Sequence, residues 1–164
     1  MATKHNPFVQ IKNCIPDSEV IHTYLENNIE WQDGIKSKHG FTRKAKPLIY
    51  GEDLCVDTAI RQAVKALFHT NPEVKDMDLE IMGIYLNYYM DGKMYTPMHK
   101  HPDSYQLIIS LGSPRTFRIN KKEFITEGGD VLFFGSQMHG VPKEEHITSS
   151  RISIAVFLSK FEVC

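Results

Sequence analysis

NYYMDGKMYTPMHKHPD, residues 87–103, decides how the rest of the chain is read. Asn87-Tyr88-Tyr89 reads as a strand end, and Asp91-Gly92 turns the chain away from it. Seven residues beyond Gly92, His99, His101 and Asp103 alternate along one extended segment, which puts their side chains on one face. Forty residues after His99 stands His139, in MHGVPK at 138–143; twelve further on is Arg151, which opens RISIAVFL at 151–158. Two ligands at i and i+2, with a third from a distant strand, would hold one face of an octahedron about a metal ion. The remaining positions would stay open for chemistry.

Around that stretch, the chain from residue 79 onward reads as short strands at 80–89, 105–111, 115–120, 123–126, 131–134 and 151–158, separated by Gly and Pro. Strands this short and this closely spaced predict a sandwich or jelly roll. Parity along the strands sorts the polar residues. Arg151, Ser153, Ala155 and Phe157 share one face, and Ile152, Ile154, Val156 and Leu158 the other; Tyr85, Asn87 and Tyr89 also share a face. If the polar faces line an interior, Asn87, Tyr89, Arg151 and Ser153 converge on a small anion. A buried guanidinium is costly unless paired, so a carboxylate is the expected partner.

The first 80 residues read as mainly helical. Pro16-Asp17-Ser18-Glu19 offers caps for a helix carrying Val20, Ile21, Tyr24 and Leu25, and a second helix is expected over 54–68 from Ala59, Ile60, Ala63, Val64, Leu67 and Phe68. Between them, the segment 34–50 carries Lys36, Lys38, Arg43, Lys44 and Lys46 with no acidic residue, and holds Phe41 and Tyr50. It reads either as a solvated basic loop or as a flap that touches a phosphate backbone and stacks on a base.

A chain of 164 residues, 41% apolar and 24% charged, suits one soluble globular domain. A net charge of −1 does not mark the protein as a whole as a polyanion binder. Cys14, Cys55 and Cys164 are odd in number and far apart, which predicts a reducing compartment without a disulfide framework. No leader-like or membrane-length apolar run is present, so an intracellular, soluble protein of the cytoplasm or nucleus is expected. His5, His22, His39, His69 and His146 read as ordinary surface or satisfied histidines.

Six colinear blocks extend the pattern: RKAKPLIYGED at 43–53, YLNYYMDG at 85–92, PMHKHPD at 97–103, QLIISLGSPRTF at 106–117, EGGDVLFFGSQMHGVPK at 127–143 and RISIAVF at 151–157. Together they resemble the AlkB branch of the iron(II)- and 2-oxoglutarate-dependent dioxygenases over residues 40 to 160. The resemblance implies a mainly β (α+β) fold, a double-stranded β-helix or jelly roll with N-terminal supporting helices. It would form a single domain over 1–164, with helices and a substrate lid in 1–78 and the β core in 79–164. It further implies Fe(II), the cosubstrate 2-oxoglutarate and O2, with His99 and His139 as metal ligands. Asn87 and Tyr89 would contact the cosubstrate and Arg151 would pair with one of its carboxylates. Arg43, Lys44, Lys46 and Tyr50 fall in the lid, where the substrate would lie.

The sequence departs from the family pattern at three places. The His-x-Asp motif becomes His99-Lys100-His101 when spacing from Gly92 is kept, or His101-Pro102-Asp103 when it is shifted by two residues, so either His101 or Asp103 is the third ligand. A second cosubstrate-binding arginine is replaced by Phe157, and an asparagine two residues after the first arginine by Ser153. The implied function is oxidative dealkylation of N-alkylated bases in methylated or single-stranded DNA or RNA. The alternatives are a 2-oxoglutarate oxygenase hydroxylating a protein side chain or small molecule, and an inactive AlkB-like binding module.

Overall fold

A computed structural model describes residues 6–34, 36, 37 and 40–160. His5, Lys38, His39 and Cys164 lie outside the described residues. In chain order the elements are β1 (Phe8–Ile11), α1 (Ser18–Asn28), β2 (Gln32–Asp33), β3 (Lys36–Ser37), β4 (Gly40–Phe41), β5 (Lys44–Leu48), α2 (Leu54–Thr70) and α3 (Pro72–Lys75). These are followed by β6 (Leu79–Tyr89), β7 (Thr96–His99), β8 (Tyr105–Gly112), β9 (Arg115–Ile119), β10 (Lys122–Thr126), β11 (Val131–Phe134), β12 (His139–Val141) and β13 (Arg151–Lys160).

The strands form two facing antiparallel sheets and a small hairpin. The major sheet runs β1-β11-β8-β13-β6-β5-β2, the minor one β10-β9-β12-β7, and β3 pairs with β4. This is the jelly roll that the strand spacing predicts and the double-stranded β-helix that the family resemblance implies. The apolar parity of β13 has a direct structural cause. Ile152, Ile154 and Val156 point outward from the sheet pair, where they pack with Leu86, Leu107 and Ile109 against Leu25 of α1 and Ile60 and Leu67 of α2. Helical spacing of apolar residues on both helices meets that face. Asp53 caps α2 by accepting a hydrogen bond from the Val56 N–H at 2.9 Å, whereas Asp17 starts α1 without a side-chain cap. The inner core, between the sheets, gathers Ile108, Phe117, Ile119, Leu132, Phe134 and Val141 at one end. Beside it the sheets splay around a cavity.

Two expectations are corrected by the strand pairing. The first 80 residues, expected to be mainly helical, also contribute β1, β2 and β5 to the major sheet, so the two portions of the chain share that sheet. The segment 34–50 is not one connecting flap either. Its second half is β5, paired with β6 over Lys44↔Tyr88 to Leu48↔Ile84. KAKPL lacks strand-like alternation, and its pairing is fixed by the exposed edge of β6. Pro47 is tolerated because the pairing with β2 covers only Lys44 and Ala45.

Candidate active site

Three imidazoles meet at one end of the cavity. His139 of β12 stands directly opposite His99 of β7, with ring centroids 4.3 Å apart. His101 follows two residues after His99, and the candidate ligand nitrogens of His99, His101 and His139 lie within 4.8 Å of one another. Close approach of β7 to β12 depends on Gly140, where a Cβ would come within 2.7 Å of the Thr96 carbonyl oxygen. Each strand histidine is oriented by its own backbone: Nδ1 of His99 meets the Pro97 carbonyl at 2.8 Å, and Nδ1 of His139 the Gln137 carbonyl at 2.9 Å. A carbonyl only accepts, so both Nδ1 atoms carry the proton and both Nε2 lone pairs are free to bind a metal. Burial pushes the His139 pKa down to about 4, and burial followed by the charge of His99 lowers that of His101. These two rings are therefore held in the neutral form that ligates. Asp103, the other candidate for third ligand, is exposed in the turn after His101 at φ 65° and lies outside this group.

At the opposite end stands Arg151, fully buried. Its Nη2 donates to Ser110 Oγ at 3.0 Å and its guanidinium lies 5.3 Å over the Tyr89 ring, but Nε and Nη1 have no hydrogen-bond partner. Two orphaned donors on a buried cation are costly, and an anion in the cavity would satisfy both. Asn87, Tyr89 and Ser153 line the same cavity; Asn87 donates to Ser153 Oγ at 3.3 Å, and the Tyr89 hydroxyl pairs with Thr96 Oγ1 at 2.6 Å. The cavity holds about 630 Å³, which is ligand-sized, and no Asp or Glu is among the described residues that line it. Three imidazole nitrogen donors at one end and a guanidinium with two unpartnered N–H groups at the other fit a divalent metal and an anionic co-ligand.

The four residues expected to form a substrate lid separate. Arg43 lines the cavity and is buried, donating to Asn87 Oδ1 at 2.6 Å. Lys44 and Lys46 stand opposite Tyr88 and Leu86, whose side chains pack on the helix side of the sheet, so both lysines face away from the cavity. Lys44 is paired there with Asp33 at 2.5 Å. Tyr50 lies in the turn beyond β5, exposed beside Arg61. The strand geometry thus brings only Arg43 of this set to the cavity.

Several residues of the site escape the sequence reading. Ser110 and Gln106 share the cavity-facing parity of QLIISLG with Ile108, and that alternation was the available signal. Gln106 is buried with its Nε2 unpartnered. Arg115 is fully buried, donating to the carbonyls of Asp91, Met94 and Pro142 and to Glu144, and so ties the approach to β7 to the exit from β12. Nothing in the sequence spacing marks it.

No protein-family model and no curated protein matches the chain. Solved structures do. A Pseudomonas putida prolyl-4-hydroxylase is 13% identical over 96% of this chain and 94% of its own, with a TM-score of 0.69. OsALKBH1 is 15% identical over 91% of this chain and 96% of its own, at 0.65. HygX from Streptomyces hygroscopicus, with nickel and 2-oxoglutarate bound, is 12% identical over 95% of this chain and 84% of its own, at 0.71. At these identities the likeness establishes the fold, and chemistry rests on the site.

Proposed function

We propose that this chain is an Fe(II)/2-oxoglutarate-dependent dioxygenase that oxidises N-alkylated nucleobases in DNA or RNA. The observation that carries the oxygenase reading is the cavity's polarity: three clustered imidazoles at one end and Arg151, with two unsatisfied N–H groups, at the other. His99, His101 and His139 would hold iron, and Arg151, with Asn87 and Tyr89, would hold the far carboxylate of 2-oxoglutarate. Bound iron supplies the oxidation of a substrate C–H bond by O2, coupled to decarboxylation of 2-oxoglutarate to succinate and CO2. Phe117, Phe134 and Phe157 lie against the histidines and keep water from the reacting end. An N-methyl group hydroxylated there would leave as formaldehyde and restore the base.

The nucleobase assignment rests on the colinear AlkB-like blocks and on a cavity roomy enough for a flipped base. A second reading, hydroxylation of a protein side chain or small molecule, gains support from Lys44, Lys46 and Tyr50 standing away from the cavity. Succinate formation from 2-oxoglutarate and Fe(II), measured alone and with panels of methylated oligonucleotides and peptides, separates the two. Stimulation by methylated oligonucleotides with release of formaldehyde is the expected result. Stimulation only by a peptide or small molecule selects the second reading, and absence of succinate throughout overturns the oxygenase assignment.

A further inference from the structure

Of the basic residues of the 34–50 segment, Lys36 and Arg43 line the cavity; Lys36 is exposed and Arg43 is buried, and the surroundings of Arg43 give it a task. Arg43 is 6% exposed, yet among the described residues no carboxylate lies within ion-pair distance of it. Nε donates to Asn87 Oδ1 at 2.6 Å and Nη1 to Thr42 Oγ1 at 3.0 Å; both partners are neutral. A buried cation held only by neutral groups lacks a counter-charge, which an anion in the cavity would supply.

The strand register relates the two arginines. Lys44 pairs with Tyr88, so Arg43 enters β5 at the level of Tyr89; Arg151 of β13 pairs with Tyr89 directly. The two Cα atoms are therefore about two strand spacings apart, on the order of 10 Å, with both side chains turned into the cavity. A polar ladder lies between them: Arg43 donates to Asn87, Asn87 to Ser153, and Arg151 to Ser110, which is the strand partner of Ser153. This ladder occupies the level of Arg151, while the histidines lie toward Phe157, six residues further along β13, where His101 touches the Phe157 ring.

We infer that Arg43 is a second carboxylate contact of the cosubstrate, so that Arg43 and Arg151 together clamp the carboxylate remote from the histidines and set the preference for a dicarboxylic over a monocarboxylic 2-oxo acid. This rests on the 2-oxoglutarate reading above. The clamp offers two guanidiniums to one anionic end, and a 2-oxo acid lacking that end gains nothing from either. Arg43 therefore belongs to cosubstrate selection, not to the phosphate contacts of a lid.

The test is equilibrium dialysis, without oxygen, of labelled 2-oxoglutarate and labelled 2-oxobutyrate against the Fe(II)-loaded protein. The two acids share the chelating end and differ in the far carboxylate. Arg43→Gln is expected to weaken 2-oxoglutarate binding roughly tenfold or more, as loss of a charge-assisted contact does, and to leave 2-oxobutyrate binding within about twofold. Arg43→Lys should recover part of the preference by keeping the charge. Unchanged 2-oxoglutarate binding in Arg43→Gln overturns the clamp, and so does equal weakening of both acids in Arg43→Gln and Arg43→Lys, the signature of a structural role. Loss of oligonucleotide binding with intact 2-oxoglutarate binding also overturns it and returns Arg43 to the substrate. A parent protein that shows no preference for 2-oxoglutarate overturns the cosubstrate reading itself, a distinguishable failure.

Discussion

His99 and His139 face each other across the β7–β12 pairing with ring centroids 4.3 Å apart, and each is steered by the carbonyl two residues before it. This cross-strand pair exists because Gly140 lets β7 approach. Gly140→Ala would place a methyl 2.7 Å from the Thr96 carbonyl and push the two strands apart. Metal affinity should fall roughly tenfold or more although no ligand is touched, as is usual when ligand support is lost. Fe(II) or Co(II) titration of the folded variant checks this, and unchanged affinity would remove the strand approach from the explanation.

The buried state of His139 sets a pH dependence of stability. Burial lowers its folded pKa to about 4 from the ordinary imidazole value of 6.5, so the unfolded chain binds a proton over a range where the folded protein does not. The resulting stability is fully present above about pH 6.5 and is lost as pH falls toward 4, by at most about 1.4 kcal/mol per pH unit. Urea unfolding of metal-free protein at pH 7.5 and 5.5 should show the loss, and His139→Gln should flatten it. Equal pH dependence in parent and variant would contradict the burial argument.

Gln106 is buried with an unpartnered amide nitrogen. Gln106→Leu keeps approximate volume and deletes the orphan, so the ligand-free protein should gain on the order of 1 kcal/mol. Thermal or urea unfolding measures it. Destabilisation would mean that the amide already has a partner.

Much of this fold was legible in the sequence because β13, β6 and β8 each bury two unlike faces. Ile152, Ile154 and Val156 against helices, and Arg151 and Ser153 against a cavity, write an alternation that survives without any structure. The strands carrying the histidines were not legible: β7 is TPMH and β12 is HGV, too short and too interrupted by Pro97 and Gly140 to show a period. β5 was hidden for a related reason, since its place is set by the edge of β6. The alternation of QLIISLG was the signal for Ser110 and Gln106, whereas Thr96 and Arg115 become visible only once the strands are laid side by side.

Lys44 and Lys46 provide a direct check on that register. Both lie on the helix-side face, with Lys44 paired to Asp33, an exposed contact worth under about 1 kcal/mol. Replacing both by Ala should leave cosubstrate binding, oligonucleotide affinity and its salt dependence unchanged. A flattened salt dependence of oligonucleotide binding would restore these lysines to the substrate surface.

The third ligand is the point on which the metal centre stands or falls. His101 lies within the imidazole cluster and Asp103 stands exposed outside it. Anaerobic titration of the Fe(II)-loaded protein with 2-oxoglutarate, followed by the visible charge-transfer absorption of a chelated 2-oxo acid, tests this directly. A saturable band is expected in the parent and in Asp103→Ala, and its loss in His101→Ala. No band in the parent, or a band lost in Asp103→Ala and kept in His101→Ala, would contradict a three-histidine centre that works with 2-oxoglutarate.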